Sequence, residues 1–269
     1  MRLKQPMKEG SPLTKWDILK VFWRWQLSCE MSNSYERMQA IAFCYAILPA
    51  LKKLYPHKED FLQAVERHSA FFNTEGTVGS IILGMSVALE EENARAGSPL
   101  SGEAIASFKT AAMGPVAGLG DTLTWGVMKP TVFSLAVLIA INGSVLGWAV
   151  IFLFALITGV YSWQLMSLGY RQGRSALSRL MNSDFVQRVL SGMGIFSLFI
   201  SGGLAANSVQ LDLLGSAVKI DEVFPGILSL LLILAISFYF KKSKSGQKFG
   251  KVTVVLVLVG LLLGVLGLV

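Results

Sequence analysis

The sequence predicts an all-α integral membrane protein, in which cytoplasmic-side amphipathic helices are followed by about five membrane-spanning or re-entrant helices. Hydrophobic residues make up 53% of the 269 positions and charged residues 15%, with a mean hydropathy of +0.56. Residues 130–170 carry no charge, and three further apolar segments follow. This balance excludes an ordinary soluble domain. The net charge of +7 lies largely at the edges of apolar segments, where membrane topology explains it better than nucleic-acid binding does.

Residues 1–112 are predicted to form a cytoplasmic or interfacial helical region. Thr14 and Asp17 have the spacing of a capping box at a helix start. The helix that follows is amphipathic and rich in tryptophan, which suits a membrane interface, a partner subunit or a packed arm of the same subunit. A second helix is predicted over residues 35–55, with Pro49 as a kink. Its apolar face is expected to contain Met38, Ile41, Ala42, Tyr45 and Leu48.

Three shorter helices complete this region. Residues 60–72 have apolar positions at helical spacing, namely Phe61, Val65, His68 and Phe72. Residues 76–92 predict a weakly amphipathic helix, whose terminal Glu90, Glu91 and Glu92 are interpreted as a solvated end. Ser98 followed by Pro99 predicts a helix start, with that helix ending at Gly114.

Residues 113–130 are predicted to form a Gly/Pro-rich loop with Asp121 in its middle. Irregular backbone at membrane depth is tolerated only where protein buries it or water reaches it, so this loop is a site candidate. A buried Asp121 carboxylate would accept sugar hydroxyl protons, bind a cation or relay protons, or it would merely cap the next helix. Trp125 is expected either to stack on a sugar ring or to anchor the chain at the membrane interface.

Residues 131–269 are predicted to form the transmembrane helical region. Residues 130–170 suit a helical hairpin with its turn at 142–144, although the first limb, residues 125–141, would be either a span or a re-entrant segment. Residues 189–211, 223–240 and 252–269 are each long enough to cross a membrane. The basic loops around residues 171–188 and 241–251 are expected in the cytoplasm, with the acidic loop at 212–222 outside. The N-terminal half would then face the cytoplasm.

Few other residues suggest chemistry. Cys29 and Cys44 are expected to be free thiols, because the polar half is placed in a reducing compartment. His68 reads as a core histidine and His57 as a solvated loop residue, with no metal-ligand spacing beside either. Asn73, next to Thr74, is either a helix C-cap or a hydroxyl-binding group.

Four motifs, in order, carry a resemblance that covers nearly the whole chain. They are YERMQA at residues 35–40, HSAFFNT at 68–74, ALEE at 88–91 and MGPVAGLGDTLTWGVMKP at 113–130. With them the chain resembles the IID component of the mannose/fructose/sorbose family of the bacterial phosphotransferase system. The resemblance implies a multi-pass subunit of the bacterial cytoplasmic membrane that forms a hetero-oligomer with a IIC subunit.

The resemblance also implies the partners and the function. The IIC–IID unit would conduct a hexose or amino sugar, and the cytoplasmic IIA and IIB proteins would pass phosphate to it. Those soluble proteins carry the phosphorylated histidines, so this chain is expected to hold no catalytic residue, cofactor or metal of its own. Membrane lipid is an expected partner and nucleic acid is not.

Carried over by position, the resemblance puts four residues at or near the sugar path: Asn73, Thr74, Asp121 and Trp125. Glu36, Arg37 and Gln39 would lie near the sugar or support the fold. Thr122 and Glu75 depart from the family pattern and leave the identity of the sugar open. Two alternatives remain: a structural subunit that stabilises IIC and docks IIB without touching sugar, and a stand-alone transporter coupled to ions through Asp121.

Overall fold

The computed structural model describes residues 12–31, 34–95, 97–181 and 184–208, together with isolated positions between 234 and 262. Within these residues all regular secondary structure is helical, and two isolated β-bridges lie in the connecting segments. The chain divides into two compact units, Met1–Ser197 and Leu198–Val269. The helices are α1 (Lys15–Ser28), α2 (Ala40–Leu54), α3 (Lys58–Ser69), α4 (Ser80–Asn93), α5 (Gly102–Gly120), a π-helical segment (Asp121–Met128), α6 (Lys129–Ile141), α7 (Leu146–Gln172), α8 (Ser175–Met181) and α9 (Asp184–Ser208).

Helix α1 starts at the predicted capping box. The Thr14 side chain accepts from the Asp17 backbone N–H at 3.3 Å, and Asp17 Oδ2 accepts from the Thr14 N–H at 2.7 Å. One face of α1 packs inside the first unit, and the indole of Trp25 donates to the Gly76 carbonyl at 2.8 Å. The packed-arm interpretation is therefore confirmed for this face. The opposite face exposes Trp16, Trp23 and Leu27.

Helix α2 is shorter than predicted, because it begins at Ala40 and not at residue 35. Residues 35–39 form a turn in which Met38 has a φ of 48° and bridges to Phe72. The predicted apolar face is wrong: Ile41 and Tyr45 are exposed, and the buried positions are Ala40, Ala42, Phe43, Ala46, Ile47, Ala50, Leu51 and Leu54. Pro49 lies inside the helix without ending it.

The backbone around Pro49 shows how the helix tolerates this residue. Proline has no N–H for the carbonyl four residues earlier, which belongs to Tyr45. The guanidinium of Arg24, in α1, donates to that carbonyl at 3.3 Å. A side chain from the neighbouring helix thus satisfies the acceptor that Pro49 leaves open.

Helix α3 ends at Ser69, before the predicted residue 72, and Phe72 is buried in the segment that follows. Helix α4 is buried from Ser80 to Glu91 and packs against α7. Two glycines permit the close approach of α4 and α7. A Cβ at Gly84 would collide with the Met166 carbonyl, and one at Gly169 with the Ile81 carbonyl. Small residues at such crossings let helix backbones pack closely.

The predicted loop at residues 113–130 is wrong, because this segment is helical throughout. Helix α5 begins at Gly102 with Ser101 as its N-cap, and it continues past Gly114 and Pro115 into the π-helical segment and α6. The hydrogen-bond pattern changes from α-helical to π-helical in this segment, where the Lys129 N–H donates to the Thr124 carbonyl five residues earlier. Glycine and proline break isolated helices, but neighbouring helices and side chains can satisfy the freed backbone groups in a membrane protein.

The hairpin of α6 and α7 is confirmed. The turn lies at residues 142–145, with Gly143 at a φ of +75° and the Asn142 side chain donating to the Leu138 carbonyl at 2.7 Å. Gly102–Ile141 and Leu146–Gln172 are long and apolar enough to cross a membrane, judged by length and composition. Helix α9 includes a shorter apolar stretch, Ser191–Ile200. Apart from a few isolated positions, the predicted spans at 223–240 and 252–269 lie outside the described residues, so the count of five stays a prediction.

Candidate functional site

Asp121, Thr122 and Trp125 of the π-helical segment are exposed, whereas its Thr124 is buried. Single π-turns within α-helices are rare and are frequent at functional sites. The Trp125 side chain is 55% exposed, and the Lys129 ammonium lies 2.9 Å from the centre of its ring. The Thr122 hydroxyl donates to the Gly118 carbonyl at 2.8 Å, four residues earlier. The segment therefore offers an indole ring and an ammonium group to a ligand.

Asp121 is neither buried nor at the start of a helix, so both predictions for it are wrong. Its carboxylate is exposed, and no side-chain hydrogen bond to it is found among the described residues. It does not cap a new helix, because the helix runs through it without interruption. The prediction of a buried carboxylate was wrong because it depended on an irregular loop, and the loop is absent.

Three predicted residues come together between the turn before α2 and the segment after α3. The Gln39 N–H donates to the Phe72 carbonyl at 2.8 Å, and Gln39 Oε1 accepts from the Thr74 N–H at 3.0 Å. Asn73 is exposed, and its N–H approaches the Met113 sulfur at 3.2 Å. Gln39 and Thr74 thus hold the two segments together, while the buried Thr74 hydroxyl has no hydrogen-bond partner in the part of the chain that the structure describes. Glu36 is exposed in the preceding turn.

A pocket of about 410 Å³ lies beside the π-helical segment. Its lining residues are Gln26, Cys29, Glu30, Glu75, Gly76, Thr77, Thr124, Trp125, Lys129, Phe154 and Thr158. Of the six predicted site residues, only Trp125 is among them. The pocket joins α1, the segment before α4, the π-helical segment and α7. It combines carboxylates, hydroxyls, an ammonium group and an indole.

Glu75 is the most constrained polar residue of this pocket. It is 6% exposed, and its carboxylate accepts the N–H groups of Thr77 at 3.1 Å and Val78 at 2.7 Å, at the start of α4. A Cβ at Gly120 would lie 2.6 Å from the Glu75 Cβ, so glycine is required there for this approach. Sequence reasoning noted Glu75 only as a departure from the family pattern, and this was the one signal available for it.

A second polar cluster is enclosed in the first unit. Glu90 accepts two hydrogen bonds from Arg67 at 2.6 Å each, one from Tyr55 at 2.7 Å, and lies 2.7 Å from His68 Nε2. The Lys109 ammonium donates to the carbonyls of Arg67 and His68 at 3.2 and 3.4 Å. The prediction of a solvated Glu90–Glu92 end is wrong for Glu90 and Glu91, which are buried; only Glu92 is exposed.

The electrostatics of this cluster indicate a structural role. Burial alone would raise the pKa of the Glu90 carboxyl, but hydrogen bonds from Arg67 and His68 outweigh burial and lower that pKa to about 2. Burial lowers the pKa of His68, so the imidazole is neutral and its Nε2–H donates to the Glu90 carboxylate. His68 is fully buried, which confirms the prediction of a core histidine. Cys29 and Cys44 are free thiols, as predicted.

Among the described residues, the fold and the pocket define an all-helical architecture that has two helices long and apolar enough to cross a membrane, with a polar pocket beside them. A family model described as "PTS system mannose/fructose/sorbose family IID component" matches residues 12–269. The chain is 35% identical over 248 residues to the mannose-specific EIID component of Escherichia coli K12, covering 86% of this chain and 87% of that protein.

Solved structures agree with this match. A complex of the mannose transporter ManYZ with microcin E492 contains a chain that is 33% identical, with a TM-score of 0.59, covering 97% of this chain and 99% of that one. A structure described only as a membrane protein has a TM-score of 0.77 at 32% identity, covering 95% and 98%. The chain therefore belongs to the IID-component family of the mannose/fructose/sorbose phosphotransferase systems.

Proposed function

We propose that this chain is the IID membrane subunit of a sugar permease, and that it translocates a hexose or amino sugar together with a IIC partner. Cytoplasmic IIB would phosphorylate the sugar as it enters. Family membership supports the class of protein. The observation that carries the proposal is the pocket beside the π-helical segment, where an exposed indole faces hydrogen-bonding side chains.

The lining of this pocket matches the surface of a sugar. Hexoses present hydroxyl groups around the ring and a less polar C–H face, so a suitable site needs a flat aromatic ring and several donors and acceptors. Trp125 supplies the ring. Glu75 and Glu30 supply acceptors, and Thr124 and Gln26 supply groups that both donate and accept. Sugar hydroxyls would exchange their bonds with water for bonds with these side chains.

Translocation would follow from movement of the sugar-holding part relative to the rest of the complex, as in alternating-access transporters. Phosphorylation would trap the product inside. Family membership assigns the phosphate carrier to IIB, and the full burial of His68 against Glu90 fits that assignment. His57 is exposed at the start of α3, with no base or carboxylate bonded to its ring among the described residues.

Orientation in the membrane is proposed from charge. Arg171 lies in the last turn of α7, and Arg174 and Arg179 follow that helix, whereas the turn between α6 and α7, residues 142–145, has no charge. Basic loops remain in the cytoplasm, so the turn would lie outside and the N-terminal half inside. A cysteine placed at Ser144 should react with an impermeant maleimide added to intact cells, and one placed at Ser175 should react only after lysis. The opposite pattern would overturn the orientation.

A structural subunit that stabilises IIC and docks IIB is the second candidate. The hydrogen bond from the Thr74 N–H to Gln39 Oε1 favours it for these two residues, because it holds the backbone and neither residue lines the pocket. The two candidates differ at Trp125, whose side chain has no such structural role.

The deciding experiment is uptake with phosphorylation in cells that supply IIC, IIA and IIB, with co-purification of IIC as the assembly check. Trp125→Ala is compared with Trp148→Ala, which removes a 69% exposed indole on α7 outside the pocket. Sugar permeation predicts lost uptake with intact assembly for Trp125→Ala only. Normal uptake by both assembled variants would favour the structural subunit. Asp121→Asn, run in parallel, tests whether the exposed carboxylate also contacts the sugar.

A further inference from the structure

The pocket beside the π-helical segment has an excess of negative charge. Glu30 and Glu75 both line it, and Lys129 is the only cation among the described lining residues. The Lys129 ammonium lies over the Trp125 ring at 2.9 Å from its centre. The pocket thus holds two carboxylates against one ammonium group, whose position is set by the indole.

Both carboxylates approach the pocket wall through space that glycines leave open. A Cβ at Gly76 would lie 2.9 Å from Glu30 Oε1, and one at Gly120 would lie 2.8 Å from Glu75 Oε2. The charges of both carboxylates affect the pKa of the Cys29 thiol, which also lines the pocket. Burial raises the pKa of its thiol to about 11, and the charges of Glu30 and Glu75 add to that shift. The two carboxylates therefore act on the same part of the pocket.

This pocket also contains unused hydrogen-bonding capacity. The Thr124 hydroxyl belongs to a residue that is only 3% exposed, and it has no hydrogen-bond partner among the described residues. Buried polar atoms are almost always hydrogen-bonded, so this hydroxyl at the pocket wall can bond to a sugar hydroxyl. Glu75 uses two acceptor sites on backbone N–H groups, whereas a carboxylate offers about four.

We propose that this pocket selects a protonated amino sugar, a 2-amino-2-deoxyhexose, over a neutral hexose. Its ammonium group would bind Glu75 and Glu30, its ring would lie on Trp125, and a ring hydroxyl would bond Thr124. The inference rests on the proposed function and specifies the substrate class of the same site. A neutral hexose would leave the buried Glu75 carboxylate without a compensating positive charge, which is unfavourable. An ammonium group supplies three donors and a positive charge at that place.

The test is competitive uptake in cells with the complete phosphotransferase system, using labelled glucosamine and labelled mannose as probes. Glu75→Gln and Glu30→Gln remove one charge each and keep the side-chain shape. Glu66→Gln is the matched control, because Glu66 is exposed on α3 and does not line the pocket.

For Glu75→Gln, the glucosamine-to-mannose uptake ratio should fall about tenfold, because a hydrogen bond to a buried charged group is lost. Glu30 is exposed to solvent, which weakens its interaction with a charge, so Glu30→Gln should lower the same uptake ratio only about threefold. Glu66→Gln should leave the ratio unchanged. N-Acetylglucosamine has no ammonium group, so its uptake should be the same in wild type, Glu75→Gln and Glu30→Gln.

Several outcomes would overturn the inference. An unchanged ratio in both pocket variants is one, and transport of mannose without glucosamine in the wild-type complex is another. In the latter case the proposed function stands, since this chain still conducts a sugar. If neither sugar enters in a manner that depends on this chain, the proposed function itself fails. Glu75 also contributes to the start of α4, so if Glu75→Gln does not assemble with IIC, Glu30→Gln decides alone.

Discussion

The buried cluster around Glu90 allows a sharp stability prediction. Glu90 is fully buried and accepts hydrogen bonds from Arg67 and Tyr55, with His68 Nε2 at 2.7 Å. Glu90→Gln removes the charge that compensates the Arg67 guanidinium, whose side chain is only 13% exposed. Breaking a buried ion pair by neutralising one partner costs about 3–5 kcal/mol, and the partial exposure of Arg67 favours the lower value.

The assay is unfolding of the purified complex in mixed micelles, followed by tryptophan fluorescence. Glu92→Gln is the matched control, because the neighbouring Glu92 is exposed. We expect about 3 kcal/mol lower free energy of unfolding for Glu90→Gln, and a change within about 0.5 kcal/mol for Glu92→Gln. Equal values for the two variants would refute the reasoning that Glu90 joins α2, α3 and α4 through a buried ion pair.

Three further predictions concern packing and pH. Gly169→Ala should prevent correct packing of α7 on α4, because the new Cβ would collide with the Ile81 carbonyl. Gly159→Ala is the control and should have no effect, and the two variants are compared by the yield of folded protein. Trp25→Phe should cost about 1–3 kcal/mol in the same unfolding assay, since the Gly76 carbonyl loses its buried donor. Burial lowers the pKa of His68 in the folded protein, so as the pH falls the unfolded chain takes up a proton on this histidine before the folded protein does. The free energy of unfolding should therefore decrease as the pH drops below about 6.5. His68→Gln should flatten that part of the profile, and an unchanged profile would contradict it.

The parts of the fold that sequence predicted well depend on local chemistry. The capping box at Thr14 and the turn at Asn142 are set by residues within four positions of each other. The loop at residues 113–130 was wrong for a physical reason. Gly114 and Pro115 break isolated helices in water, but here the helix continues through both of them, as membrane helices tolerate.

The candidate site was predicted only in part, because its lining depends on contacts between distant segments. Trp125 was predicted and lines the pocket, but Glu30 and Thr124 were not considered. Glu90 was interpreted as solvated because three consecutive glutamates at a helix end usually are. Its partner Arg67 lies on another helix, and nothing in the local pattern indicates the pairing.

The central claim is that the sugar binds on this chain, at the pocket beside the π-helical segment. Equilibrium binding of labelled sugar to the purified complex with IIC tests it most directly, with wild type, Trp125→Ala and the control Trp148→Ala. Loss of stacking on an indole is worth about 1–2 kcal/mol, so the account predicts about tenfold weaker binding for Trp125→Ala and unchanged binding for the control. Equal affinity in all three complexes would contradict the account and place the binding site on the partner subunit.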